Sequence, residues 1–282
     1  MNRTPRILAD GLIFPEGPRW HAGHFYFSDM HAHEVLRIEA DGTRAVVARV
    51  PGCPSGLGWD PDGRLLIVSM EDHKLLRQEE DGSLSEFADL SGLATHLCND
   101  MIVDARGAAY VGNFGFDLHE GMPPQKTNLV LVTPEGEVRE AATDLSFPNG
   151  TVITPDGRTL IVGETFGACL TAFDIAPDGS LSNRRVWAPI QDAVPDGICL
   201  DAEGAIWVAS PVSAEVLRLR EGGEVLDRIG VETQAFACML GGDSGQTLYV
   251  CTAPSSDPEE CLRQKAGRIE AFDVEHPRAG LP

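Results

Sequence analysis

Apolar positions along this chain fall in short runs, such as Leu65-Leu66-Ile67-Val68, Ala109-Tyr110-Val111 and Ile206-Trp207-Val208, separated by polar turns carrying Gly or Pro. Runs this short, rich in Val, Ile, Leu and aromatics and bounded by turn residues, predict β-strands. Thirty glycines and nineteen prolines punctuate the sequence and interrupt any sustained helical period. The pattern predicts an all-β protein.

The runs repeat. A polar residue, usually followed by Gly, opens an apolar stretch that ends in a turn and continues into a second apolar strand. Ser55-Gly56 precedes Asp60-Pro61-Asp62-Gly63, and Asn99-Asp100 precedes Asp104-Ala105-Arg106-Gly107. Asn149-Gly150 precedes Thr154-Pro155-Asp156-Gly157, and Asp196-Gly197 precedes Asp201-Ala202-Glu203-Gly204. In these four copies the polar residue stands eight positions before the turn glycine. A shorter first copy begins at Glu16-Gly17 and a degenerate last copy at Ala237-Cys238. The intervals between copies are 39, 44, 50, 47 and 41 residues, the length of a four-stranded propeller blade. A second turn stands before each outer strand, at Asp41-Gly42, Asp81-Gly82, Glu135-Gly136, Asp178-Gly179 and Glu221-Gly222. The last copy lacks this turn, so a strand near Arg6–Ala9 is expected to complete its blade and close the ring. The predicted fold is a single six-bladed β-propeller over residues 1–282, with no internal linker.

Equivalent copies place Glu16, Ser55, Asn99, Asn149, Asp196 and Ala237 around one mouth of the central channel. Asx-Gly pairs also make turns between blades, but turn chemistry gives no reason for Glu at the first copy. Carboxylate, amide and hydroxyl oxygens together suit a hard divalent cation, with a metal site at the channel mouth. Calcium is the first expectation, with magnesium, manganese or zinc as alternatives. His31-Ala32-His33 would face one way on a strand, yet no cysteine or third histidine adjoins them in sequence to complete a zinc site.

Charge narrows the partners. Twenty-two Lys and Arg against forty-three Asp and Glu give −21 at pH 7, which repels phosphate backbones and anionic lipid surfaces. A small-molecule substrate is expected, with neither nucleic acid nor membrane as partner. The seven cysteines form no C-x-x-C and several lie inside apolar runs, as small core residues do in a reducing compartment. With no signal-peptide pattern after Met1, a cytoplasmic chain is expected.

Phe14-Pro15-Glu16-Gly17-Pro18-Arg19-Trp20, Cys98-Asn99-Asp100, Pro148-Asn149-Gly150 and Pro195-Asp196-Gly197 resemble the signature positions of the gluconolactonase/regucalcin (senescence marker protein) family, blade by blade over nearly the whole chain. The resemblance implies a metal-dependent lactonase-type hydrolase in which Glu16, Asn149 and Asp196 ligate the metal and Asn99 contacts it or the substrate. The metal would polarise the carbonyl, and Asp196 would serve as catalytic base as well as ligand, with Glu164 as a spare base. Related propellers hydrolyse phosphotriesters, and a non-catalytic propeller that holds calcium or a small ligand is the reading from another class.

One departure from the family bears on substrate. Members similar to regucalcin carry Arg two residues before the asparagine matched by Asn99, and here that position is Leu97. Replacing a hydrogen-bonding fork by an apolar side chain disfavours a polyhydroxylated lactone; strand alternation would point the adjacent His96 the other way. The loops between second and third strands, Ser28–Ala32, Ser69–His73, Asn113–Asn128, Glu164–Ala168, Ser210–Ser213 and Thr252–Lys265, are expected to build the pocket. Met30, Met70, Phe114, Phe116 and Phe166 make them apolar, so Leu97, Asn99, Phe114, Phe116 and Phe166 are the candidate substrate-binding residues and the substrate is expected to be less polar than gluconolactone.

Overall fold

The computed structural model describes residues 4–39 and 42–282. Among them, 24 strands form six four-stranded antiparallel sheets around a central channel. The first blade holds β2 (Pro15–His21), β3 (His24–Asp29), β4 (Glu34–Ile38) and β5 (Arg44–Arg49); the second holds β6 (Pro54–Trp59), β7 (Leu65–Ser69), β8 (Lys74–Gln78) and β9 (Leu84–Asp89). The third runs through β10 (Cys98–Val103), β11 (Ala109–Asn113), β12 (Thr127–Val132) and β13 (Val138–Leu145). The fourth follows with β14 (Pro148–Ile153), β15 (Thr159–Glu164), β16 (Cys169–Ile175) and β17 (Leu181–Pro189). The fifth comprises β18 (Ile198–Leu200), β19 (Ile206–Ser210), β20 (Glu215–Leu219) and β21 (Val225–Gly230). In the sixth, β22 (Gln234–Gly241), β23 (Thr247–Ala253) and β24 (Gly267–Asp273) are joined by the N-terminal β1 (Arg6–Leu12), whose pairing with β24 closes the ring as the missing turn predicts.

The hairpin turns explain the recurring Asp. Asp60 Oδ1 accepts the backbone N–H groups of Asp62 (3.0 Å) and Arg64 (2.9 Å), Asp104 Oδ1 those of Arg106 and Ala108 (both 2.9 Å), and Asp201 Oδ1 those of Glu203 (2.9 Å) and Ala205 (3.1 Å). Each carboxylate supplies the acceptor that the turn backbone lacks. Of the second set of turns, Asp41 lies outside the described residues. The core lies between neighbouring blades, where Phe27, Tyr110, Trp207 and Phe272 are buried completely or nearly so.

Among the described residues, besides two short 3-10 turns, one α-helix departs from the all-β expectation. Within Thr252–Lys265 the seven-residue helix α1 (Pro258–Gln264) forms, because Asp257 caps it by accepting from Glu260 N at 2.8 Å and Pro258 presets its first turn. All seven cysteines are free, six of them buried. Among the described residues no helix is long and apolar enough to cross a membrane.

Candidate functional site

The residues of the predicted ring lie where the inner strands lose their regular register. Pairing with the second strand shifts between Glu16 and Arg19, Pro54 and Leu57, Cys98 and Met101, Pro148 and Thr151, and Ala235 and Ala237. Such bulges re-aim side chains that strict alternation would send into the sheet faces. In the fifth blade the strand begins only at Ile198; Asp196 is instead fixed by its N–H to Ala209 O and by Ala209 N–H to Gly197 O, both at 3.0 Å. The glycine after the ring residue has a steric cause: a Cβ on Gly150 would lie 2.4 Å from Ile198 N and 2.6 Å from Asp196 O. The Asx-Gly pair therefore serves close approach of inner strands near the axis.

Glu16, Asn99, Asn149 and Asp196 come together at the floor of a cavity of about 340 Å³, while Ser55 and Ala237, although buried, do not line it. Asn99 donates Nδ2 to Pro148 O at 3.3 Å, which commits its nitrogen and leaves its oxygen for the cavity. Asn149 donates Nδ2 to Thr165 Oγ1 at 3.3 Å, and that hydroxyl donates to Pro195 O at 2.8 Å, tying the fourth blade to the residue before Asp196.

Both carboxyls resist ionisation here. Burial pushes Glu16 up to about 8, against the pull of its 2.9 Å bond from Gly17 N–H; the Asp100 charge raises it further and Arg19 lowers it. Asp196 is held well above the usual carboxylate range, first by burial, then by the charge of Glu16, with hydrogen bonding from Asn149 opposing. Among the described residues no three His, Cys, Asp or Glu side chains gather to hold a metal by themselves. The donor set is two carboxylates with two carboxamides, an oxygen set that fits a hard divalent cation. Two mutually repelling buried carboxyls are the groups that such a cation would stabilise in charged form.

Above this floor the walls are mostly apolar, with His31, His33, Glu71 and His119 among the lining residues. On one side Phe14 packs against Phe236 (ring centroids 4.8 Å apart) and stacks on His31 (5.1 Å). On the other, Phe147 joins Phe114 (4.4 Å) and Phe166 (5.3 Å). Met30, Met70 and Leu97 line the cavity between them, and Pro258 and Leu262 of α1 close part of the mouth. The second-to-third strand loops thus build the pocket as the repeat predicts. Phe116 stands one layer behind the wall, packed on Phe147 (5.9 Å) and Phe166 (5.3 Å), and does not line the cavity.

Two further expectations change. Glu164 is no spare base: it is 2% exposed, lies off the cavity lining, and accepts from Ser146 N (2.7 Å), Thr171 Oγ1 (2.6 Å) and Arg184 Nη2 (2.9 Å), which fixes the loop leading into β14. His31 and His33 are not strand residues; Met30–Ala32 is a 3-10 turn and His33 has φ of 57°, so both rings reach the cavity. His96 does turn away from the cavity, and its Nε2 lies 3.6 Å from Asp117 Oδ2 on the long third-blade loop. The sequence reading missed Phe14, Phe147 and Phe236 as wall residues. A signal existed for two of them: Phe14 and Phe147 stand two residues before a ring position, the register that Leu97 and Cys53 also occupy, and all four line the cavity.

Comparison with known proteins gives a consistent family. The family model for the SMP-30/gluconolactonase/LRE-like region matches residues 14–254. The pentonolactonase XacC of Haloferax volcanii is 26% identical over 283 residues, covering 95% of this chain and 94% of that protein. A gluconolactonase structure from Xanthomonas campestris superposes with a TM-score of 0.76 at 26% identity, covering 98% of this chain and 89% of the other. The calcium-binding regucalcin structure from Agrobacterium tumefaciens shares the fold with a TM-score of 0.84 at 23% identity, covering 100% and 97% of the two chains.

Proposed function

This chain belongs to the SMP-30/gluconolactonase/LRE-like family, and from that premise we propose that it hydrolyses a lactone or related cyclic ester less polar than gluconolactone, using one divalent cation. Full-length similarity to a pentonolactonase and a gluconolactonase supports lactone hydrolysis. The observation that carries the reading is the convergence of Glu16, Asn149 and Asp196, with Asn99, at the floor of an aromatic-walled cavity.

Glu16, Asn149 and Asp196 would hold the cation, and calcium suits their oxygen donors. Bound there, a divalent cation supplies Lewis acidity toward a carbonyl oxygen and charge for the developing oxyanion. The protein's part is positioning and proton transfer. Asn99 presents its amide oxygen to a substrate group, and Asp196 would take the proton of the attacking water. Phe14, Phe147, Phe236 and Leu97 exclude water from the remainder of the substrate. The wall is mostly aromatic and aliphatic, although His31, His33, Glu71 and His119 also line it, and each sugar hydroxyl buried against the apolar part without a partner costs about 1–3 kcal/mol. Seven free thiols support a reducing, cytoplasmic setting.

The test is steady-state hydrolysis of aromatic and alkyl lactones, gluconolactone and one aryl phosphotriester, before and after chelation. Chelation abolishes lactone turnover and calcium, magnesium or manganese restores it, with the apolar lactones giving the higher kcat/KM. Full activity in stripped protein overturns the cation, preference for the phosphotriester changes the reaction class, and metal-loaded protein inert toward the whole panel points to a binding protein.

A further inference from the structure

Equivalence of the six blades is broken by charge at two inner-strand positions. One residue after the ring position stand Gly17, Gly56, Asp100, Gly150, Gly197 and Cys238; three residues after it stand Arg19, Gly58, Ile102, Val152, Cys199 and Leu240. Asp100 and Arg19 are the only charged residues in the two sets, and the fold pairs them: Arg19 Nη2 lies 2.6 Å from Asp100 Oδ1, with side chains 5% and 11% exposed.

The guanidinium does more than neutralise a carboxylate. Its Nη1 donates to Pro18 O (2.8 Å) in β2, its Nε to Leu57 O (2.8 Å) in β6, and its Nη2 also to Met101 O (2.6 Å) in β10. One planar fork thereby ties the inner strands of three consecutive blades. Asp100 Oδ1 in turn accepts Met101 N–H at 2.8 Å, inside the bulge that turns Asn99 toward the cavity. The pair has room because residue 56 lacks a side chain: a Cβ on Gly56 would lie 2.4 Å from Met101 N and 2.9 Å from Asp100 Oδ1. Arg19 also borders a separate cavity of about 280 Å³, lined by Trp20, Trp59 and Arg278.

A buried ion pair adds little stability over apolar residues of the same volume, while it strongly restricts geometry. We propose that Arg19, acting through Asp100 and the carbonyls of Leu57 and Met101, is the positioning residue of the site, holding Glu16 in the first blade and Asn99 in the third where they face Asn149 and Asp196. The inference rests on the divalent-cation reading above. Lysine cannot replace the fork, because a single ammonium lacks the planar array that reaches three strands at once.

The experiment is calorimetric titration of calcium into metal-stripped parent, Arg19→Lys, and the double variant Arg19→Met/Asp100→Leu, with circular dichroism melts of each. The double variant removes both charges together and so leaves neither buried and unpaired. Both variants are expected to retain the parent β-sheet spectrum and to bind calcium about 10-fold or more weakly, the loss typical of residues that orient metal ligands. Parent-like affinity in either folded variant overturns the proposal, and parent-like affinity in Arg19→Lys alone shows that charge rather than the fork matters. If the double variant fails to fold, Arg19→Lys, which keeps the charge, decides. Absence of binding of calcium, magnesium and manganese alike by the parent overturns the cation reading and this inference with it, an outcome distinct from equal binding by parent and variants.

Discussion

Phe147 offers a test in which the expected order of two substitutions is reversed by backbone geometry. The residue is 5% exposed and its ring is the hub of the aromatic wall, with centroids 4.4, 5.3 and 5.9 Å from Phe114, Phe166 and Phe116. Its φ of 60° places a bulky side chain in the left-handed region. Truncating a buried Phe to Ala costs about 3–5 kcal/mol through lost burial and the cavity left behind. Ala still pays the left-handed penalty of about 1–2 kcal/mol, which Gly avoids. Gly gives back about 0.5–1 kcal/mol through the freedom of its unfolded chain. Phe147→Gly is therefore expected to be more stable than Phe147→Ala by about 1 kcal/mol, opposite to the usual order of these residues. Urea denaturation of the parent and both variants measures this, with similar slopes confirming that the midpoints report stability. In both variants the kcat/KM ratio of an aromatic lactone to gluconolactone falls, because the wall has lost its central ring. A Gly variant no more stable than the Ala variant would refute the claim that strain is held at this position, and an unchanged substrate ratio would take Phe147 out of the pocket wall.

Three further outcomes are expected. Asp196→Asn keeps size and an oxygen donor but removes the basic carboxylate, so turnover drops ~10²-fold or more while the melting profile stays folded; near-parent turnover would move the base elsewhere. Leu97→Arg, which restores the family side chain at the cavity wall, shifts the kcat/KM ratio toward sugar lactones, and a ratio that does not move would show that position 97 does not set specificity. Burial pushes the thiols of Cys53 and Cys98 up to about 12 and that of Cys261 to about 11, so an aromatic disulfide reagent at neutral pH should modify the native protein slowly, starting at half-exposed Cys169, and all seven thiols only after unfolding. Rapid release from several thiols in folded protein would contradict the buried environments described.

The charge arrangement links these experiments. Glu16, Asp100 and Asp196 each raise the cost of ionising a neighbour, and Arg19 is the cation set among them. That balance leaves one fixed positive charge for three carboxylates, which gives the site a capacity for added positive charge that the overall excess of acidic residues alone would not localise.

The sequence by itself determined the architecture, because a propeller repeats one unit and repetition is visible in one dimension. The recurring Asp and Gly of the hairpin turns, the copy spacing and the missing last turn were enough to predict six blades and closure by the N-terminal strand. Glu16, Asn99, Asn149 and Asp196 were legible for the same reason: symmetry converts a shared position in the repeat into a shared place in space. What departs from symmetry was decided by tertiary structure. Arg19 and Asp100 are 81 residues apart and look like ordinary polar positions until two bulged strands bring them to 2.6 Å. Glu164 looked available as a base, yet a backbone N–H, a threonine hydroxyl and an arginine from separate parts of the fourth blade occupy its carboxylate. Phe236 stands outside the register shared by Phe14, Cys53, Leu97 and Phe147, and only the folded ring places it at the cavity.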